Sequence, residues 1–323
     1  GSTMGGGSAT GGGSTTGGGS ATGGGSTTGG GSATGGGSAT GGGSATGGGS
    51  SMGGGSGTGL AYTQCDNLAL PDDTVSIAAI PGGLLVLVPL PDAGMALWRF
   101  TGQGCTLTRD LSFEVPTAGS AVAADDRGFG YVLGSFQSVE VSPDGGTANI
   151  PVFGNALAVS RDGTEAYSAS FGTGSRQVRS TTQSTFMSTG TYVPGFSTIA
   201  AMADLPGGRA LAGGSRTFGA LHQFFVVETD GGIGNTTFGA TVNGPDAFCW
   251  IGSLSRCGNH YCATDRNCRK VSTWDPSGAF IASLPLASDS NYSLTQSPSG
   301  EVYMLRVLWS GARTARIGLL TGF

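Results

Sequence analysis

Asn155-Ala-Leu-Ala-Val-Ser-Arg-Asp-Gly-Thr-Glu-Ala-Tyr167 reads as an apolar strand, a Ser-x-Asp-Gly turn and the opening of a second strand. Asp and Gly suit that turn because the carboxylate accepts turn N–H groups and glycine enters the left-handed region without steric cost. The same pattern recurs at residues 76–88, 120–132, 199–212, 248–262 and 292–304. Its turn glycines, Gly83, Gly128, Gly163, Gly208, Gly258 and Gly300, stand 45, 35, 45, 50 and 42 residues apart. A second hairpin turn follows in most units, at Gly102/Gly104, Pro143-Asp-Gly-Gly146, Asp230-Gly-Gly232 and Asp275-Pro-Ser-Gly278. The unit after Gly163 shows no clear second turn, because residues 175–191 are polar. Two hairpins per unit make a four-stranded sheet.

Six units of this size fill residues 60–323 and predict an all-β, six-bladed β-propeller. The last unit runs out after three strands, at 292–297, 301–308 and 314–320. Cys65-Asp-Asn-Leu-Ala-Leu before Ser76 parallels Cys105-Thr-Leu-Thr-Arg-Asp-Leu-Ser-Phe before Ser120. The 60–70 strand is therefore expected to be the missing outer strand, closing the ring and hiding its edges. The segment 155–167, and less closely 292–303 with its Ser297-Pro-Ser-Gly300 turn, resembles the repeat of YVTN-type and related secreted bacterial propellers. The resemblance covers most of 60–323 at the level of repeat period, but only two or three units match closely. It implies a propeller in an extracellular or cell-envelope setting and carries over no catalytic residue.

Residues 1–59 are a different material. They hold 30 of the 64 glycines of the 323-residue chain and no charged residue. From Gly5 to Thr58 they form nine uninterrupted hexads, GGGSAT or GGGSTT in the first seven, then GGGSSM and GGGSGT. Glycine does not fall at every third position, so collagen is excluded. A hexad keeps constant faces in an extended strand and constant edges in a polyglycine-II helix, so either form is open if the tract is ordered. The tract has little side chain to bury, so order is expected from backbone hydrogen bonding between copies, with Gly5, Gly6, Gly7, Gly11, Gly12, Gly13, Gly17, Gly18 and Gly19 at the contacts. A flexible tether is the other reading, since Gly/Ser-rich segments are normally coils. Ser8, Thr10, Ser14, Thr15 and Thr16 are candidate O-glycan acceptors.

The net charge of −5 and the absence of a basic run argue against nucleic acid and anionic membranes as partners. The longest apolar stretch, 77–90, is broken by Pro81, Gly82, Gly83 and Pro89 and falls short of a bilayer span. The start of the chain lacks the charged and apolar regions of a signal peptide, as expected of a processed form.

Six cysteines, Cys65, Cys105, Cys249, Cys257, Cys262 and Cys268, are even in number and leave 15 disulfide pairings open. At least one local bridge is expected among the last four. Cys257, His260, Cys262 and Cys268 offer zinc-ligand types, but their spacing matches no zinc pattern, and no metal or cofactor is expected. His222 and His260 lie outside hydrolase motifs and read as polar residues of strands or turns. Asp72/Asp73 and Asp125/Asp126 sit at turns, where calcium or glycosidase chemistry is the sharper but less favoured reading. Trp98, Trp250, Trp274, Trp309, Phe224 and Phe225 are expected to pack sheet on sheet rather than line a carbohydrate platform.

The sequence therefore reads as a non-enzymatic structural subunit of an extracellular bacterial filament or surface assembly, polymerised with other copies of itself through residues 5–58 and displaying the propeller. The alternative is a secreted ligand- or glycan-binding propeller on a flexible tether. A lactonase or glycoside-processing enzyme comes third.

Overall fold

A computed structural model describes residues 2–4, 7–10, 14–16, 19–22, 26–28, 31–34, 38–40, 44–46, 50–52 and 59–323, except 93, 135–136, 153, 171–172, 180–185, 193–197, 216–221, 229–232, 240–246, 287–289 and 309–312. The chain divides into two compact units, Gly1–Gly59 and Leu60–Phe323. Every regular element among the described residues is a β-strand.

In the second unit the strands form six four-stranded antiparallel sheets in a propeller arrangement. Sheet 1 holds Ser76–Ile80, Gly83–Pro89, Met95–Thr101 and Thr108–Val115. Sheet 2 holds Gly119–Ala124, Gly130–Gly134, Ser138–Val141 and Thr147–Ile150. Sheet 3 holds Ala156–Val159, Glu165–Ser170, Thr173–Arg179 and Phe186–Tyr192, so its third and fourth strands draw on the polar 175–191 stretch. Sheet 4 runs Thr198–Leu205, Arg209–Ser215, His222–Val227, Ile233–Phe238, and sheet 5 runs Ile251–Cys257, His260–Asp265, Lys270–Trp274, Phe280–Pro285. Sheet 6 is ordered Ser290–Gln296, Val302–Leu308, Thr314–Thr321 and finally Ala61–Gln64, which pairs with Thr321 back to Gly318.

The core lies between sheets. Gly83–Pro89 reads Gly-Leu-Leu-Val-Leu-Val-Pro with no polar alternation because both of its faces are covered. Leu84, Val86 and Val88 pack with Tyr303, Leu305 and Ile317 of sheet 6, while Leu85 and Leu87 pack with Val132, Val139 and Val141 of sheet 2. Further clusters join sheets 2 and 3, 3 and 4, 4 and 5, and 5 and 6. The first strands also touch in sequence, and that of sheet 6 touches that of sheet 1. Across this junction Ala79 N donates to Thr295 Oγ1 at 2.9 Å.

Tyrosines after the turns tie neighbouring sheets together. The Tyr167 hydroxyl lies within hydrogen-bond reach of Glu165 Oε2 and of the Gly208 carbonyl of sheet 4, and the Tyr303 hydroxyl accepts from Gly104 N of sheet 1 at 2.9 Å. Burial raises the Tyr303 phenol to about 12, so it stays protonated. At the first turn the expected left-handed glycine is displaced by one residue. Gly82 takes φ 68°, while Gly83 is required by close approach, since a Cβ there would stand 1.9 Å from the Phe100 carbonyl oxygen.

The first unit consists of short parallel strands. Ser2–Met4, Ser14–Thr16, Ser26–Thr28, Ser38–Thr40 and Ser50–Met52 make one sheet. Gly7–Thr10, Gly19–Thr22, Gly31–Thr34 and Ser44–Thr46 make the other. Ser2 faces Ser14, and Gly7 faces Gly19, so each strand pairs two hexads along the same chain. Backbone pairing that the sequence assigned to other copies is met here within one chain, because two hexads bring like residues back into register.

Candidate functional site

One position near the end of each inner strand decides the chemistry of the propeller's central channel. It is the residue that pairs just before the turn-closing residue: Ala79, Ala124, Val159, Asp204, Arg256 and Gln296 in sheets 1 to 6. All six line one mouth of the channel. Sheets 1 to 3 put small or apolar groups there, and sheets 4 to 6 put a carboxylate, a guanidinium and an amide.

Arg161, from the turn of sheet 3, reaches across this mouth. Its Nη2 donates to the Gln296 carbonyl of sheet 6 and its Nη1 to Asp126 Oδ1 at 3.2 Å. The cavity that Arg161 and the six mouth residues line, about 100 Å³, is walled also by Ile77, Val122, Leu157, Met202 and Leu254. Beside it opens a larger cavity of about 470 Å³, lined by Ser160, Asp162, Thr164, Glu165, Asp204 and Arg256, with Leu205 and Pro206 on its apolar side. Arg256 Nη2 donates to the Gly258 carbonyl at 3.3 Å. Asp162 accepts from Ser160 Oγ at 2.6 Å and Thr164 Oγ1 at 2.7 Å, and these bonds, the Ser160 hydroxyl first, hold its carboxyl below the usual value.

Asp204 differs from four other turn-associated acids. Asp125, Asp162, Asp265 and Asp275 each accept backbone N–H groups, whereas Asp204 accepts no hydrogen bond among the described residues. Burial pushes its carboxyl up to about 7 against the pull of Arg161 and Arg256. Between the unfolded value near 4 and about 7, the folded chain holds a proton that the unfolded chain releases. Stability therefore falls as pH rises through that window and is level above it. Asp204→Asn is expected to raise stability at pH 8 by roughly 2–3 kcal/mol and to leave it unchanged near pH 4. Thermal melts at the two pH values check this; an equal gain at both would contradict it.

The other candidate residues scatter. Cysteines pair Cys65–Cys105, Cys249–Cys268 and Cys257–Cys262, so Cys257, Cys262 and Cys268 have no thiolate to offer a metal beside His260. Three disulfides fit a non-reducing compartment. His222 is buried, its Nδ1 accepts from Ile251 N at 3.2 Å, and burial holds its imidazole below the ordinary value. Asp72 and Asp73 are exposed, while Asp125 is buried in a structural network and Asp126 pairs with Arg161. Trp274, Phe224 and Phe225 are core, Trp98 is half-buried under Arg109, and Trp250 is 44% exposed over the His222 ring.

Trp309, the Asp230-Gly-Gly232 turn, Gly5, Gly6, Gly11, Gly12, Gly13, Gly17 and Gly18 lie outside the described residues. Gly7 and Gly19 pair with each other, and Ser8, Thr10, Ser14, Thr15 and Thr16 lie in the first strands of the tract. Among the described residues no helix is long and apolar enough to cross a membrane. The hairpin pattern did not single out Asp204 and Arg256. Their signal was the switch from Ala79, Ala124 and Val159 to charge at one register position.

No family model matches the chain, and no curated protein sequence matches it. Solved structures do. The β-propeller domain of Cps50 (Swd1) from Myceliophteria thermophila superposes with a TM-score of 0.52 at 10% identity, over 76% of this chain and 82% of that one. Hydrazine synthase from Kuenenia stuttgartiensis gives 0.52 at 11% identity, over 79% and 98% of the two chains. Streptogramin B lyase gives 0.50 at 11% identity, over 81% and 97%. Proteins so different in name share only architecture with this chain, and that architecture is the β-propeller.

Proposed function

We propose that the chain is a non-enzymatic structural subunit of an extracellular filament or surface assembly, in which the hexad tract joins copies and a six-bladed propeller is displayed. In this reading the 60–70 segment closes the ring, and the YVTN-like units are its blades. The observation that carries it is the in-register pairing of hexads at an offset of two repeats. Among the described residues Ser2–Met4, Ser50–Met52, Gly7–Thr10 and Ser44–Thr46 each have a strand neighbour on one side alone. Unpaired strand edges are templates for another chain, and identical repeats keep the register whichever copy is added. The three disulfides suit life outside the cell.

Negative-stain electron microscopy and light scattering of the full chain and of a chain lacking residues 5–58 test this. Filaments or large oligomers are expected from the first and monomers from the second. Monomers from both, or assembly by the shortened chain, would sink the proposal.

A further inference from the structure

We propose that the channel mouth binds a neutral polyhydroxy ligand, one hexose unit of a glycan, between Asp204 and Arg256. The cavity of about 470 Å³ falls within the range of small-ligand pockets. Its lining mixes acceptors with donors. Asp204, Asp162 and Glu165 offer carboxylate oxygens, Arg161 and Arg256 offer guanidinium N–H groups, and Ser160 and Thr164 offer hydroxyls.

The charge balance argues for a neutral ligand. Fixed charges of both signs line the cavity, so an anion meets the carboxylates of Asp162 and Glu165 and a cation meets the guanidiniums of Arg161 and Arg256. A hydroxyl donates to one and accepts from the other. Arg161 already bonds Asp126 and Gln296, and Asp162 already bonds Ser160 and Thr164, so these are held in place. Among the described residues Asp204 has no hydrogen bond and Arg256 has one, to the Gly258 carbonyl. These two are the groups a ligand satisfies. Pro206, exposed at the cavity edge, supplies the apolar surface that a sugar ring's C–H face requires.

Saturation-transfer NMR and titration calorimetry with the methyl glycosides of glucose, galactose, mannose and N-acetylglucosamine test the site, with glucuronate and glucosamine as charged probes. At least one neutral glycoside is expected to bind at about 10 mM or below. Asp204→Asn and Arg256→Met should each weaken it by about tenfold or more. Asp92→Asn, which lines neither cavity, should leave it unchanged. Melting curves of each variant confirm that it folds. Three results overturn the proposal: no neutral glycoside binds, only the charged probes bind, or both site variants bind as well as the parent. The outcome is independent of whether filaments form.

Discussion

Replacing Asp125 by alanine is expected to cost about 3–5 kcal/mol of stability, among the largest effects of any single change in the propeller. The side chain is fully buried and nothing about it is idle. Oδ1 accepts from the backbone N–H of Arg127 at 2.9 Å and of Phe129 at 3.1 Å. Oδ2 accepts from Arg127 Nε at 2.9 Å, Arg127 Nη2 at 2.6 Å and the Tyr131 hydroxyl at 2.8 Å. Alanine leaves the buried Tyr131 hydroxyl and the two turn N–H groups without their acceptor, while the exposed Arg127 guanidinium can turn to water, and each orphaned buried group carries its own desolvation penalty. The Tyr131 hydroxyl also accepts from Arg179 Nη2 of sheet 3 at 3.1 Å, and Arg179 pairs with Glu140 of sheet 2.

The damage therefore reaches the junction between two sheets. Gly163, in the turn of sheet 3, sits against the same cluster, and a Cβ there would meet Arg127 Nη2 at 2.1 Å and Asp125 Oδ2 at 2.2 Å. For a domain of this size the loss corresponds to a melting temperature lower by about 10 °C. Tyr131→Phe removes one hydroxyl and should cost roughly 1–3 kcal/mol. Urea denaturation orders the series: parent, Tyr131→Phe, Asp125→Ala. If Asp125→Ala melted within a degree or so of the parent, the network would not be what holds sheets 2 and 3 together.

How much of this was legible in the sequence follows the range of the interactions. The inner hairpins, with turns at or within one residue of Gly83, Gly128, Gly163, Gly208, Gly258 and Gly300, depend on local φ/ψ preference and strand patterning, which the chain states outright. An all-β propeller follows from counting them. Disulfides were legible as an even number of cysteines with a local bridge among the last four, which Cys249–Cys268 and Cys257–Cys262 supply, but the full pairing was not. Cys65 and Cys105 stand 40 residues apart, and nothing local fixes which sheets they join.

The network around Asp125 looked like an ordinary turn acid, which it is, because Arg179 and Gly163 reach it only through packing of one sheet on the next. The channel mouth was missed for the same reason. Asp204, Arg256 and Gln296 are unremarkable in their own hairpins and meet only when the inner strands converge on one axis. In the tract, the hexad left an extended strand and a polyglycine-II helix equally open. Its partner strands, two repeats along the same chain, were not visible from a single hexad.

The Cys65–Cys105 bridge should be the most stabilising of the three disulfides, at about 4 kcal/mol against about 3 for Cys249–Cys268 and about 2 for Cys257–Cys262. In the chain-entropy view the gain grows with the loop that is closed, and the separations are 40, 19 and 5 residues. Position adds to length. Cys65 follows directly on Ala61–Gln64, the outer strand of sheet 6, and its N–H donates to the Ile317 carbonyl of that sheet at 2.9 Å. Cys105 lies between the third and fourth strands of sheet 1. The bond thus ties the outer strand of sheet 6, which pairs with the distant Thr314–Thr321, to sheet 1.

Losing it should let Ala61–Gln64 detach from Thr314–Thr321 before the other sheets open. Cys65→Ser with Cys105→Ser is expected to lower the unfolding free energy by about 4 kcal/mol and to speed amide exchange selectively in those two strands. Cys257→Ser with Cys262→Ser should cost about half as much and leave exchange there nearly unchanged. Equal losses for the two pairs, or exchange that rises uniformly around the ring, would show that the bridge is not a clasp.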